Sequence, residues 1–368
     1  MNETEAPLLE VDHLKVYFPV RRGLLIERAA GHVHAVDDVS FRLGRRETLG
    51  VVGESGCGKT TLSRAVMRLI DATEGTIKFQ GRDITRAGRR ELAPVRREVQ
   101  MVFQDPQASL NPRRRVAQIV GSALRLRGVE RQDVPDRVRE LLARVGLNPE
   151  HLNRFPHEFS GGQRQRIGVA RALAVDPTLI VLDEPVSALD VSIQAQVINL
   201  LDDLQEEFGL SYIFVAHDLS VVRHVSNRIA VMYIGKIMEI SPAEELYTKP
   251  IHPYTHALLA AVPIPDPRRN RARPRAVVEG EPPNPIEPPP GCRFHTRCPH
   301  ATEICRTVEP PLTEYASGHA AACHHPLNVS AEDIAAGTRS DASPTSAGDA
   351  EPDLASSAQD SSAIRGSR

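Results

Sequence analysis

Apolar positions in the first hundred residues fall into short, strand-length runs. Leu8–Phe18 alternates loosely between apolar and polar residues and predicts the opening of a sheet. A second strand is expected near His34–Leu43, after an apolar-and-basic insert at Val20–Ala30. Glu47–Val52 can form a buried strand, and from Thr61 to Ile70 the period turns helical through Leu62, Ala65, Val66 and Leu69. Thr76–Phe79 with Gly81 reads as a strand and turn. Ala87–Val99 is basic and polar, and Val99–Phe103 is a short apolar strand that ends in Gln104.

Between Val116 and Val145 the pattern is helical: Val116, Ile119, Val120, Ala123 and Leu124, then Val138, Leu141, Leu142 and Val145. This predicts a helical subdomain, about 105–160, inserted into an otherwise α/β succession. Ser160-Gly161-Gly162 marks its end, and a helix over Gln163–Ala174 follows. Leu179–Leu182 is a fully apolar strand closed by Asp183-Glu184, Val191–Phe208 an amphipathic helix, and Tyr212–Ala216 a buried strand ending in His217. Ile229–Tyr233 and Lys236–Ile240 read as a hairpin around Gly235. Beyond Ser241 the character changes. Pro263–Pro290 is rich in Pro and Arg and is expected to lack regular structure; Gly291–Pro326 holds four of the five cysteines. Asn328–Arg368 is dominated by Ser, Ala and Asp and is expected to be disordered. The expected organisation is one α/β domain over 8–245, a smaller Cys-bearing region over 246–327 and a tail over 328–368.

Bulk properties agree with a globular chain: 368 residues suit two domains and a tail. A net charge of −2 gives no support for bulk nucleic-acid binding. The arginine runs at Arg86–Arg97, Arg113–Arg115 and Arg268–Arg275 read as solvated faces or linkers. Met1–Glu10 is acidic without a signal-peptide apolar core, and no stretch approaches the ~18–20 apolar residues that span a bilayer. A location in the cytosol, or at a membrane only through partners, is therefore expected. Five cysteines in this arrangement do not resemble a secreted disulfide framework.

The chemistry concentrates at Gly53–Thr60, Gly-Glu-Ser-Gly-Cys-Gly-Lys-Thr, which fits the phosphate-binding pattern G-x-x-x-x-G-K-[ST] in its proper strand–loop–helix setting. The backbone N–H groups of the loop, with the helix N-terminus behind them, would face an anion, so Gly53, Glu54, Ser55, Gly56, Cys57, Gly58, Lys59, Thr60 and Thr61 are expected at the ligand. Lys59 would reach the β- and γ-phosphates and Thr60 would hold Mg²⁺. Cys57 reads as packing rather than as a reactive thiol. Asp183 would bind the Mg²⁺, largely through water, and Glu184 would polarise the water that attacks the γ-phosphate. Gln104 and His217 each end a strand; alone, one is an ordinary turn residue and the other an ordinary buried histidine. Ser160-Gly161-Gly162-Gln163 at a helix start offers a second anion site, although a plain N-cap explains it equally well. The simplest geometry with two such sites is a pair of chains head to tail, each lending this end to the other's nucleotide.

Taken in order, Tyr17 or Phe18, Gly53–Thr60, Gln104, Phe159-Ser-Gly-Gly-Gln163, Leu179–Glu184, Ser187-Ala-Leu-Asp190 and His217 resemble the ATP-binding subunit of an ABC transporter over residues 8–245. The resemblance implies a P-loop α/β fold of the ABC type and ATP with Mg²⁺ as ligands. It also implies an adenine stacked on the aromatic, with Tyr17 favoured, a γ-phosphate contact from His217, and Gln104 bridging nucleotide, metal and membrane partner. Asp190 would belong to the loop that communicates across the dimer. Phe159 stands where many members carry Leu. Phe103-Gln-Asp-Pro-Gln-Ala-Ser-Leu-Asn-Pro112, the insert after Phe18 and Lys249-Pro-Ile-His-Pro-Tyr-Thr255 are similar to the oligopeptide/dipeptide importer ATPases, in the second of two paralogous subunits. The partners so implied are the other ATPase, two membrane permeases and, indirectly, an extracytoplasmic solute-binding protein, with the chain peripheral at the cytoplasmic face. Importers of metals, glutathione or sugars, exporters, and soluble ABC ATPases of DNA repair or translation are the rival readings.

Cys292, Cys298, Cys305 and Cys323 match neither a zinc knuckle nor a ferredoxin run, and spacing alone leaves metal binding and plain thiols open. Because this subfamily can carry a four-Cys cluster, the resemblance implies a [4Fe–4S] centre. Zinc is the second choice, given His295, His300, His319, His324 and His325 nearby.

Overall fold

Thirteen strands form two sheets in the computed structural model, which describes residues 6–22, 28–105, 109–262, 280–336 and 338–339. The smaller sheet is antiparallel, in the order β2 (Arg28–Leu43), β1 (Leu9–Arg22), β4 (Glu74–Phe79), β5 (Arg82–Asp83). The strands β1 and β2 run well into the expected insert, pairing to Arg22 and Arg28; residues 23–27 lie outside the described residues.

The larger sheet is organised on β3 (Thr48–Val52), the strand that delivers the phosphate loop. Its parallel neighbours are β8 (Ser211–Val215) and β9 (Arg228–Tyr233); β7 (Leu179–Asp183) and β6 (Val99–Val102) continue the parallel order. Every residue of β3, β7 and β8 is buried, which is why these strands read as unbroken apolar runs. Successive side chains enter opposite cores: Val51 packs with helix 59–66 and the smaller sheet, Val52 with the helices of the other face.

On the far side, β9 hairpins into β10 (Lys236–Pro242), and the sheet runs on through β12 (His319–Ala321), β11 (Thr313–Ala316) and β13 (Thr338–Arg339), all antiparallel. The Cys-bearing region is thus joined edge to edge with the sheet that carries the phosphate loop. The helical stretch consists of helices Val116–Arg127 and Val134–Arg144, packed on helix Gly161–Leu173 through Val116, Val120, Val138, Leu142 and Ile167. The basic and polar stretch before β6 contains a helix, Leu92–Glu98, whose inward face is Leu92 and Val95. One expectation is corrected. Residues after Asn328 include a helix over Ala331–Ala336 and the short β13, so the tail is not structureless from 328 on; residues 340–368 lie outside the described residues. Of the Pro- and Arg-rich stretch, 280–290 has turns without regular elements, and 263–279 is outside the described residues.

Candidate active site

At the end of β3 the chain turns through Gly53 (φ +151°) and reaches helix Lys59–Val66 through Gly58 (φ +111°). Both glycines are required by space as well as by φ. A Cβ on Gly53 would lie 2.2 Å from the Met232 carbonyl oxygen, and one on Gly58 2.0 Å from that of Ala35. Lys59 is buried and folds back over the loop, its Nζ donating to the carbonyls of Gly53 (2.7 Å) and Glu54 (2.9 Å).

Beside the loop lies a cavity of about 440 Å³, within the range of small-molecule sites. Ser55, Gly56, Gly58, Lys59, Thr60 and Thr61 form one wall, and Gln104, Glu184 and His217 form another. The two catalytic elements meet at the ends of parallel strands, where α/β folds place their ligands. Thr60 Oγ1 donates to Asp183 Oδ1 at 3.1 Å. Asp183 is buried, and burial pushes its carboxyl pKa up against the opposing Thr60 hydrogen bond. Glu184, the next residue, has φ +47°, a costly conformation for a side-chain-bearing residue, and its N–H donates to the Val215 carbonyl at 3.0 Å. That turn directs its carboxylate to Gln104, whose Nε2 donates to Oε2 at 2.8 Å; His217 Nδ1 lies 3.7 Å from the same oxygen. Gln104 therefore sits on the Glu184 carboxylate, while the hydroxyl–carboxylate pair expected to hold the metal is Thr60–Asp183. That pair fits Mg²⁺, which takes hard oxygen donors and needs only one or two from protein when triphosphate oxygens complete its shell.

The cavity is also lined by Phe18, Val33, Ala35 and Pro285. The preference for Tyr17 is corrected here. Neighbours on a strand point to opposite faces, and Tyr17 points away, donating its hydroxyl to Asp37 and packing on His34 at a ring separation of 4.3 Å. Phe18 is the aromatic at the cavity and is 38% exposed. Sequence reasoning also missed Val33, Ala35 and Pro285, which carry no signal beyond being apolar.

Ser160, Gly161, Gly162, Gln163 and Asp190 do not line this cavity. Ser160 accepts from the Gln163 N–H (3.3 Å) while Gln163 Oε1 accepts from the Ser160 N–H (3.0 Å), closing a capping box on helix 161–173. Ser160, Gly161, Gln163 and Asp190 are exposed. They form one surface, since a Cβ on Gly162 would meet Ile193 at 2.4 Å and one on Gly161 would meet Leu189 at 3.4 Å.

The four C-terminal cysteines are free thiols, as is the buried Cys57. Among the described residues, no group of three or more His, Cys, Asp or Glu side chains is placed to hold a metal ion. Neither the [4Fe–4S] expectation nor the zinc alternative gains support from that arrangement. Burial pushes the thiols of Cys292 and Cys323 up to about 11 and about 12. No helix among the described residues is long and apolar enough to cross a membrane.

The ABC transporter family matches residues 36–187, and the oligopeptide/dipeptide transporter C-terminal region matches 238–305. The oligopeptide transport ATP-binding protein AppF of Bacillus subtilis is 55% identical over 86% of this chain and 97% of its own length. Its counterpart OppF of Salmonella typhimurium is 52% identical over 87% and 97%. Among solved structures, a dimer of the ATP-binding cassette MJ0796 with ADP and Pi covers 64% of this chain and 98% of its own, at 26% identity and TM-score 0.57. The cbiO1 protein of Clostridium perfringens aligns at the same identity and TM-score over 66% and 92%. The chain is an ATP-hydrolysing cassette and belongs to the ABC transporter family, in its oligopeptide/dipeptide transporter branch.

Proposed function

We propose that this chain drives the uptake of oligopeptides or dipeptides as one of two paralogous ATPase subunits on two membrane permeases. Peptide is delivered by a solute-binding protein on the far side, and this chain stays peripheral at the cytoplasmic face. The observation that carries the reading is the convergence of Thr60–Asp183 and Gln104–Glu184–His217 on one cavity beside the phosphate loop, in a chain whose close relatives are named oligopeptide transport ATP-binding proteins.

Phe18 stacks the adenine, and the loop with Lys59 receives the β- and γ-phosphates. Mg²⁺ on Thr60 and Asp183 neutralises phosphate charge when bound. Glu184 accepts the proton of the attacking water, and Gln104 and His217 hold its carboxylate toward that water and the γ-phosphate. The exposed Ser160–Gln163 end and Asp190 meet the nucleotide of the partner subunit, so ATP joins the two cassettes and hydrolysis releases them. The helices within 105–160, beginning just after Gln104, pass the movement to the permeases. The boundary at 245 divides this engine from its C-terminal region, and that at 327 divides the region from the tail.

Gentle solubilisation of native membranes and identification of what co-purifies tests the assignment. Two multi-span permeases and a second ATPase are expected, with peptide uptake lost on deletion. Recovery from the soluble fraction alone would overturn it, and loss of uptake of a metal, glutathione or sugar instead would overturn the peptide part.

For Cys292, Cys298, Cys305 and Cys323 the finer proposal is a [4Fe–4S] staple. Its support is the presence of four free thiols in one short region of the oligopeptide/dipeptide transporter branch, with the His325 N–H donating to Cys323 Sγ at 3.3 Å. Anaerobically purified protein should contain about four iron and four sulfide per chain; protein that is folded and free of iron would dismiss the cluster.

A further inference from the structure

The stretch Cys292–Cys298 belongs to the C-terminal region, yet one of its side chains, Arg297, reaches the phosphate loop. We propose that Arg297 is a positioning residue for ATP hydrolysis, holding the phosphate loop in its binding shape from 243 residues further along the chain. Its Nη1 donates to both carboxylate oxygens of Glu54, at 2.8 and 3.0 Å, and to the Tyr233 hydroxyl at 3.2 Å. The Arg297 side chain is only 7% exposed and that of Glu54 26%, so the arginine end of this charge-assisted pair is withdrawn from water.

Glu54 is the second residue of the loop, and each of its polar groups is held. Arg297 takes the carboxylate, the Tyr254 hydroxyl accepts the main-chain N–H at 3.1 Å, and Lys59 donates to the carbonyl at 2.9 Å. Two of those three holds come from beyond residue 250. The stretch that carries Arg297 is itself fixed. Arg293 donates to the Ile234 carbonyl and to Asp37, the same carboxylate that Tyr17 reaches from the strand bearing Phe18. Phe294 packs on Tyr233 and Tyr254 at ring separations of 5.4 and 5.1 Å. Just upstream, the Pro285 carbonyl accepts the His34 N–H at 3.0 Å, and Pro285 forms part of the cavity wall.

A loop with three glycines at positive φ has much freedom to lose when it closes on phosphates. Fixing its second residue in advance removes part of that loss from the binding step, so the brace acts on affinity for the triphosphate. The inference rests on the reading of the cavity as the ATP site.

Full-length wild type and Arg297→Gln are compared for ATP affinity, AMP affinity and thermal unfolding without nucleotide. AMP has no β- or γ-phosphate for the braced segment to cradle. The variant should bind ATP about tenfold more weakly while its AMP affinity stays within about twofold. A purely structural contact would weaken both alike or only lower the unfolding temperature, and either result overturns the proposal. Should Arg297→Gln fail to fold, Glu54→Gln removes the same pair from its more exposed side and carries the same expectation. In the double variant the loss should be no larger than in either single one; additive losses would refute the coupling. Wild type that binds no ATP would overturn the nucleotide reading and the brace with it, whereas unchanged ATP affinity in both variants overturns the brace alone.

Discussion

Glu184 combines three features seldom found together: a positive φ, a place at the end of a fully buried strand, and a carboxylate shared between an amide and an imidazole. Backbone strain of this kind costs of order 1–3 kcal/mol and persists where the surrounding structure enforces it. Here the Val215 carbonyl on β8 holds the Glu184 N–H, so the strain aims the side chain at the cavity. Replacing Glu184 with Gln keeps shape and hydrogen bonding while removing the base. Turnover should fall by at least about a hundredfold with ATP affinity within about twofold. Retained turnover, in an assay of phosphate release, would remove Glu184 from that role.

Among elements, the start of helix 161–173 is exposed and its serine and glutamine side chains bond only to each other's main chain among the described residues. Its capping box satisfies two N–H groups, and the exposed end lies beside Asp190 rather than in the cavity. Ser160→Asp separates capping from phosphate contact, because Asp caps as well as Ser but places a negative charge where a partner's γ-phosphate would arrive. The unfolding temperature and ATP binding by the single subunit should be unchanged, whereas ATP-driven pairing should weaken about tenfold or more. Normal pairing would exclude a phosphate at this end. This element was legible in the sequence, as were β3, β7 and β8, because buried parallel strands and a capped helix leave strong local signals. Phe18 was not: alternation says that residues 17 and 18 face opposite ways, and only the position of β2 decides which way is inward. Arg293 and Arg297 were hidden for a different reason. Nothing local distinguishes an arginine that meets a carboxylate 243 residues away from one that meets water.

Across the molecule, the join between the sheet and its C-terminal extension is a buried polar cluster. Glu239 on β10 accepts from the N–H groups of Ile251 and His252 and from His319 Nε2, each at 2.8 Å. His252 Nδ1 accepts the Tyr254 N–H, capping the helix that places Tyr254 under the loop. Burial depresses the His252 pKa to about 4, against the opposing pull of Glu239. The unfolded chain would protonate this histidine near its ordinary 6.5. Between about 6.5 and about 4 the unfolded state therefore holds more protons, and stability falls as pH falls through that window. In His252→Asn, which keeps a capping acceptor, the decline of unfolding temperature over that range should be shallower than in wild type. Parallel slopes would show that other groups set the acid limit.

The separation between Glu54 and Arg297 also has a consequence in time. β3 finds its first parallel neighbour only at Ser211–Val215, and the arginine that braces its loop follows much later. With synthesis at roughly 5–20 residues per second, the loop emerges about 10–50 s before its brace. Until Ser211–Val215 is made, Thr48–Val52 lacks both of its parallel neighbours and is open to mispairing with another nascent chain. A chain cut short before residue 297 contains Gln104, Glu184 and His217 but lacks the arginine that meets Glu54 in the phosphate loop.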